Sequence, residues 1–278
     1  MTGAVSPTAL TVLGALLEAR TGQQIAGYRA WRLDTALKPL LRARGLDTLD
    51  DLVGDLLGSR DPLLGDRIVE ALLNGESSFF RDSAMFDLLA QAIGEAGFGR
   101  RRPRIWSAGC ATGQEPLSLA MMFAERADAG ATMPEIVATD VSDASLARAR
   151  AGRFTQFEIQ RGLPVRRMMR WFDGGDDGEW SASSELTRMV QYRRHNLVAD
   201  APPAGMFDAV LCRNVLLYFG TPIKAIVFAK LAAALRPGGL LVLGAGETVI
   251  GQTGLFRPSV RYRGLYERTD VDAARVAA

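Results

Sequence analysis

Through the first 85 or so residues the apolar positions recur at helical spacing, and no stretch alternates as a strand would. Leu10, Leu13, Leu16 and Leu17 make one face. Trp31, Leu33, Leu37, Leu40 and Leu41 make a second, Leu49, Leu52, Val53, Leu56 and Leu57 a third, and Ile68, Val69, Leu72 and Leu73 a fourth. Breaks near Gly22, Gly45 and Asp61-Pro62 separate them. The pattern predicts a small all-helical domain over 1–85. Met85, Phe86, Leu88 and Leu89 then fall on a further helix, which Asp82-Ser83 can cap. Gly94 to Pro103, rich in glycine and arginine, reads as the loop into a second domain, and 86–103 is taken as the linker.

From Arg104 the period changes. Ile105 to Ala108 is a short continuous apolar run, read as a buried strand, broken by Gly109 and Gly113 before Pro116 opens a helix carrying Leu117, Leu119, Ala120 and Met122. Glu135 to Thr139 is a second strand, ending in Asp140, and a helix follows over Asp143 to Ala151. Gly152 to about Tyr192 departs from the alternation. With its polar turn Asp173 to Gly178 it reads as an inserted β-subdomain, about 153–192, with short strands around Trp180 and over Met189 to Tyr192. His195-Asn196-Leu197 ends a strand, and Phe207 to Cys212 is another buried one. A helix runs from Pro222 to Leu235 and stops at Pro237-Gly238-Gly239; Leu240 to Leu243 and Leu265 to Glu267 supply the last strands. Strands alternating with helices imply a mostly parallel α/β sheet covered on both faces, with ligands outside the carboxyl ends of the strands. Glu115, Asp140, Asn196 and Asn214 all fall at such ends.

Composition narrows the chemistry. A net charge of +2 is too small to imply nucleic acid, and a single histidine excludes a His-rich metal site. No leader and no apolar run of about 18 residues is present, so neither secretion nor membrane insertion is expected. Cys110 and Cys212, at the ends of buried strands, suit reduced thiols in the cytoplasm. Between Arg20 and Arg44 the basic residues Arg20, Arg29, Arg32, Lys38, Arg42 and Arg44 face one acid, Asp34. Spacing alone describes a solvated helix face; a functional role would be to dock an acidic partner.

The glycine turn after the first strand is ambiguous by itself. Gly109 lets the backbone pass close under a ligand, but only two glycines are present where a dinucleotide site carries three. Glu115 in the first helical turn argues against a pyrophosphate and for a cationic ligand. Asp140, at the end of the second strand, can accept both hydroxyls of a ribose or cap the next helix. It follows Gly109 at more than the roughly 20 residues of a dinucleotide unit.

In order, Glu-Ser-Ser-Phe-Phe-Arg-Asp (76–82), Trp-Ser-Ala-Gly-Cys-Ala-Thr-Gly-Gln-Glu-Pro (106–116), Ala-Thr-Asp (138–140) and Phe-Asp-Ala-Val-Leu-Cys-Arg-Asn-Val-Leu-Leu-Tyr-Phe (207–219) resemble the motifs of the chemotaxis receptor glutamate methyltransferases, the CheR family. The resemblance covers nearly the whole chain. It implies a class I, Rossmann-like methyltransferase domain over 104–278 with an inserted β-subdomain, preceded by the all-α domain. The implied reaction carries a methyl group from S-adenosylmethionine to receptor glutamates and leaves S-adenosylhomocysteine. Carried over by position, Glu115 and Asp140 hold the methionine and adenosine parts. Gly109 lies in the same turn, Asn196 and Leu197 lie near the adenine, Asn214 and Val215 near the amino-acid end, and Ser77 and Arg81 reach across. Arg81 steers the substrate carboxylate and Tyr218 walls the methyl site, while Arg29, Arg32, Lys38 and Arg42 dock the cytoplasmic helices of the chemoreceptor. No metal is implied, and a monomer is expected.

Three departures stand out: Gly75 where the family often has asparagine, Leu117 where it has tyrosine, and Ala36, Pro39 and Leu40 at positions it often fills with arginine. The loop Asp173 to Glu179 is short and acidic, without the glycine pattern by which some members hold a receptor-tail pentapeptide, so independence of that tether is expected. A nicotinamide dehydrogenase lacks its third glycine here, and an amino-adenine methyltransferase lacks its Asn-Pro-Pro-Tyr-like motif at Arg213 to Leu216. From another class, the alternative is a non-catalytic, cofactor-sensing scaffold.

Overall fold

The computed structural model describes residues 6–25, 31–58, 61–96, 101–176 and 178–270. The chain divides into two compact units: one runs to Asn74 and includes Tyr218–Ile223, and the other comprises Gly75–Leu217 and the chain from Lys224 onward.

In the first unit, α1 (Pro7–Thr21), α2 (Trp31–Arg44), α3 (Leu49–Gly58) and α4 (Leu64–Leu72) follow the four apolar faces. Ser6 caps α1 by accepting from the Ala9 N–H at 3.0 Å, Pro7 fits the first turn, and Gly22 ends the helix in the left-handed region. Leu13, Leu37, Leu52, Leu64 and Ile68 are fully buried against one another. Arg44 is tied to Asp55 at 2.6 Å and Asp61 at 3.0 Å, and Arg20 to Asp66 at 3.3 Å. Two members of the basic run are therefore engaged within the helical unit, Arg44 in the less exposed pairs.

The second unit starts with α5 (Ser83–Glu95), so the segment expected to be a linker begins inside a helix, with Phe86, Leu89, Ala90, Ala92 and Ile93 buried. Asp82 stands at the cap position of α5 but makes no side-chain cap bond, because its carboxylate is taken by Arg213 at 2.6 Å. There follow β1 (Arg104–Ala108), α6 (Gln114–Ala127), β2 (Glu135–Asp140) and α7 (Asp143–Ala151). The inserted part contains β3 (Arg153–Thr155), α8 (Gln156–Gln160), α9 (Val165–Trp171), β4 (Phe172–Gly174), β5 (Glu179–Ala182) and α10 (Ser184–Arg188). The chain then continues through β6 (Val190–Arg194), β7 (Phe207–Cys212), α11 (Thr221–Ala234), β8 (Leu235–Leu243), β9 (Phe256–Pro258) and β10 (Tyr266–Arg268).

Among the described residues the main sheet has the order β6-β2-β1-β7-β8-β10-β9; the first five strands are parallel and β10 is antiparallel to both neighbours. β7 is buried at every position, as a central parallel strand must be. Ile105, Leu117, Leu119, Ala120, Met121, Ile136, Ala138 and Leu146 pack in the same core cluster. The inserted sheet, β3-β5-β4, is antiparallel, and Phe79 seats edge-on against its Phe154 and Phe172, centroids 5.0 and 5.5 Å apart.

Three elements depart from the sequence pattern. The strand expected at Met189–Tyr192 as part of the insertion is β6, pairing with β2 at the edge of the main sheet from Ile136↔Val190 to Asp140↔Arg194. It buries Val190 but exposes Gln191, Arg193 and Arg194, so it reads as polar. Arg236-Pro237-Gly238-Gly239 does not end a helix in a loop: α11 stops at Ala234, and these residues bulge out of β8, which pairs Leu235 with Phe207 and Leu240 with Ala209. β9, three residues long, carries no periodic signal. Among the described residues no helix is long and apolar enough to cross a membrane.

Candidate functional site

The strand order turns at β1, with β2 on one side and β7 on the other; the crevice outside their carboxyl ends is where an open α/β sheet takes its ligand. The turn after β1 is pinned from below. The amides of Gly109 and Cys110 both donate to the Thr139 carbonyl, at 2.8 and 2.9 Å. Gly109 has φ +79°, and a Cβ there would lie 2.5 Å from Val215 Cγ2, so glycine is what allows the loop after β7 to close over the turn. Gly113, at φ +95°, begins α6 and leaves room for Ala149.

Glu115 sits in the first turn of α6, where the helix dipole favours a carboxylate. One oxygen accepts from the Ser107 hydroxyl at 2.8 Å and the other from Arg213 Nη1 at 3.2 Å, and the side chain is 13% exposed. Asp140, at the end of β2, accepts from the Ala111 N–H at 2.8 Å on one oxygen and from the Ser142 N–H at 2.9 Å on the other. The cap of α7 is Ser142, not Asp140. Asp140 therefore fastens the glycine turn.

Two buried thiols show the local field. Burial pushes Cys110 up, and the charges of Asp140 and Glu115 add to it; burial likewise raises Cys212, with Glu247 and Glu115 contributing. Both cysteines are free. Glu115, Asp140 and Glu247 stand at the strand ends with the buried Arg213 paired to Glu115, a set with more acid than base, which suits a cationic ligand better than a pyrophosphate.

Arg81 stands between two residues in the left-handed region, Phe80 at φ 47° and Asp82 at φ 57°. For non-glycine residues this backbone is costly unless held from outside. The Phe80 N–H donates to Ser118 Oγ at 3.0 Å, and Arg213 Nη2 donates to the Arg81 carbonyl at 2.8 Å and to Asp82 at 2.6 Å. The Arg81 side chain is consequently presented on the surface. Arg213, only 3% exposed, joins that turn to Glu115. Its neighbour Asn214 is also left-handed, at φ 58°, with its N–H on Glu247 at 2.8 Å.

The structure thus brings Gly109, Glu115, Asp140, Asn214 and Val215 around the crevice, with Arg81 attached through Arg213. Asn196 and Leu197 follow the adjacent strand β6; the Asn196 side chain accepts from the Val198 and Ala199 N–H groups at 2.9 and 3.2 Å, and Leu197 is buried. Ser77 is half-buried on the stretch leading to Phe79. Tyr218 belongs to the helical unit, where the Asn74 amide donates to its hydroxyl and its carbonyl accepts from Gln24 at 2.8 Å. Lys38 and Arg42 are exposed on α2; Arg32 lies in that helix, and Arg29 lies outside the described residues. Sequence reasoning missed Arg213 and Glu247. The first had a signal, a cation directly after the apolar run Ala209 to Cys212; the second, in Gly244-Ala245-Gly246-Glu247, had none.

The sequence profile of the CheR methyltransferase, SAM binding domain, matches residues 75–263. Chemotaxis protein methyltransferase 1 of Vibrio cholerae is 35% identical over 244 residues, spanning 86% of this chain and 89% of that one. Chemotaxis protein methyltransferase 1 of Pseudomonas aeruginosa is 34% identical over 240 residues, 84% and 87% of the two chains. The chain belongs to the CheR methyltransferase family. A CheR methyltransferase binds S-adenosylmethionine, and the crevice fits it: carboxylates stand there for a sulfonium and an ammonium, and it is placed at the turn of the strand order. The matched region begins at Gly75, where the larger compact unit also begins.

Proposed function

We propose that this CheR methyltransferase esterifies glutamate side chains in the cytoplasmic helices of chemoreceptors, leaving S-adenosylhomocysteine. The observation that carries the proposal is the exposed guanidinium of Arg81, raised on a locked left-handed turn that Arg213 ties to the acidic crevice. When bound, S-adenosylmethionine supplies a methyl group on a cationic sulfur. Glu115 and Asp140 hold its amino-acid and ribose ends, Asn214 and Val215 flank the amino-acid end, and Asn196 with Leu197 borders the adenine. Ser77 and Arg81 reach over from the start of the domain.

A glutamate, with an ordinary pKa of about 4.3, is already ionised at neutral pH, so the site needs no general base. The protein's tasks are to steer the carboxylate and strip it of water. Holding reactants in line supplies on the order of 7–11 kcal/mol. Arg81 does the steering with its fork of donors, loosely enough that the oxygen keeps its nucleophilicity. Tyr218 walls the methyl site.

The helical unit is the docking domain, and the larger unit, which begins at Gly75, is the catalytic one. Arg29, Arg32, Lys38 and Arg42 meet the acidic face of the receptor helices, and the protein acts as a cytoplasmic monomer. The turn between β4 and β5 offers no glycine-patterned loop, so binding does not depend on a receptor-tail pentapeptide; calorimetry detecting a low-micromolar or tighter complex with such a peptide would refute this. The reaction is tested by incubating the protein with methyl-labelled S-adenosylmethionine and receptor-containing membranes. Label on the receptor that leaves as methanol in mild alkali is the expected result. Cofactor binding with no receptor labelled would favour a sensing scaffold instead.

A further inference from the structure

The loop after β7 has a second anchor besides Arg213. Glu247, half-buried in the turn after β8, accepts from the Asn214 N–H and the Gly244 N–H on the same oxygen, each at 2.8 Å, and from the Leu217 N–H on the other at 3.3 Å. These bonds hold Asn214 at φ 58°, a shape asparagine tolerates but does not prefer. Gly244 completes the arrangement, since a Cβ there would lie 2.8 Å from Asn214 Nδ2. The next residue, Val215, is the one that closes over Gly109. One carboxylate thus joins the ends of β7 and β8 and fixes the first residues of the loop that roofs the crevice.

The geometry points to Glu247 as a positioning residue for cofactor binding: among the described residues its carboxylate accepts from backbone N–H groups, and it sets the conformation in which Asn214 and Val215 stand over the Gly109 turn. This rests on the proposed placement of Asn214 and Val215 at the amino-acid end of the cofactor. Hydrogen bonds to a charged acceptor are among the stronger ones, and a misplaced loop at a binding site costs more than its own bonds.

The test is calorimetric titration of S-adenosylhomocysteine into the full chain and into Glu247→Ala, Glu247→Gln, Glu247→Asp and Asn214→Ala variants, with melting temperatures recorded alongside. Glu247→Ala is expected to weaken binding roughly 10-fold or more. Glu247→Gln, whose amide oxygen can still accept from both Asn214 and Gly244, is expected to stay within about threefold of the parent. Such rescue separates positioning from a general need for the charge. Should the alanine variant fail to fold, Glu247→Asp, one methylene shorter, must still weaken binding by at least about threefold. A variant that melts lower but binds with parental affinity overturns the proposal, leaving Glu247 a structural brace. If Asn214→Ala also binds like the parent, the placement of Asn214 at the cofactor fails as well; if Asn214→Ala alone weakens binding, only the role of Glu247 falls.

Discussion

Arg213 carries more of the site than any residue named from the motifs alone. Its guanidinium serves one carbonyl and two carboxylates from a nearly sealed position. Removing one partner of a buried pair leaves the other charge uncompensated. Arg213→Ala should therefore cost about 3 kcal/mol of stability in denaturant titration. Arg213→Lys, which keeps the charge but not the fork, should fold better yet still lower turnover, because a point charge cannot span Asp82, the Arg81 carbonyl and Glu115 together. Arg81→Ala should do the opposite, leaving the melting temperature within about 1 °C of the parent while cutting kcat roughly 100-fold, since its side chain is exposed and its proposed task is steering. Glu115→Ala should chiefly raise the cofactor Kd, by about 10-fold or more. At this scale the sequence was informative for the carboxylates near strand ends. Glu115 and Asp140 each had an ordinary structural use as well, and it was the ordered motifs that singled them out as site candidates. Arg213 showed only its place after a strand and Glu247 showed nothing, because most of their partners lie far away along the chain, which no spacing encodes.

At the scale of elements, the helices of the first unit and the strands β1, β2 and β7 follow directly from apolar periodicity. The edges were less legible: a strand was expected at Met189–Tyr192 but assigned to the insertion, since β6 buries only Val190, and the three-residue β9 gave no signal. The junction between β1 and β2 offers a pH test. Arg104 donates to both oxygens of Glu135, at 2.9 and 3.2 Å, and holds that carboxyl below the usual range. A carboxyl lowered in the folded state adds stability above its unfolded pKa of about 4.3, and that stability is lost as pH falls through the folded value. Glu135→Gln should melt below the parent at pH 7, and the gap should close below about pH 4. A gap independent of pH would show that the lost contact is not ionic. The two thiols test the burial of β7 and the glycine turn: with both pKa values raised, Cys110 and Cys212 should resist iodoacetamide at pH 8 in the folded protein and react once it is unfolded.

For the whole molecule, a helical unit precedes a methyltransferase sheet whose acidic crevice lies at the turn of the strand order. The α/β class and the family were legible because four motifs fall in order along one chain, each at a strand end or a turn. The docking face was less so: of six basic residues, Arg20 and Arg44 are engaged in ion pairs within the helical unit. The central claim is that the methyl group ends on a glutamate carboxylate. Tandem mass spectrometry of receptor peptides after reaction tests it most directly. The expected result is a gain of one CH2 located on glutamate side chains, abolished by alkali and strongly reduced with Arg81→Ala. A methyl group on lysine, on arginine or on the backbone, or ester formation undiminished in the Arg81 variant, would contradict it.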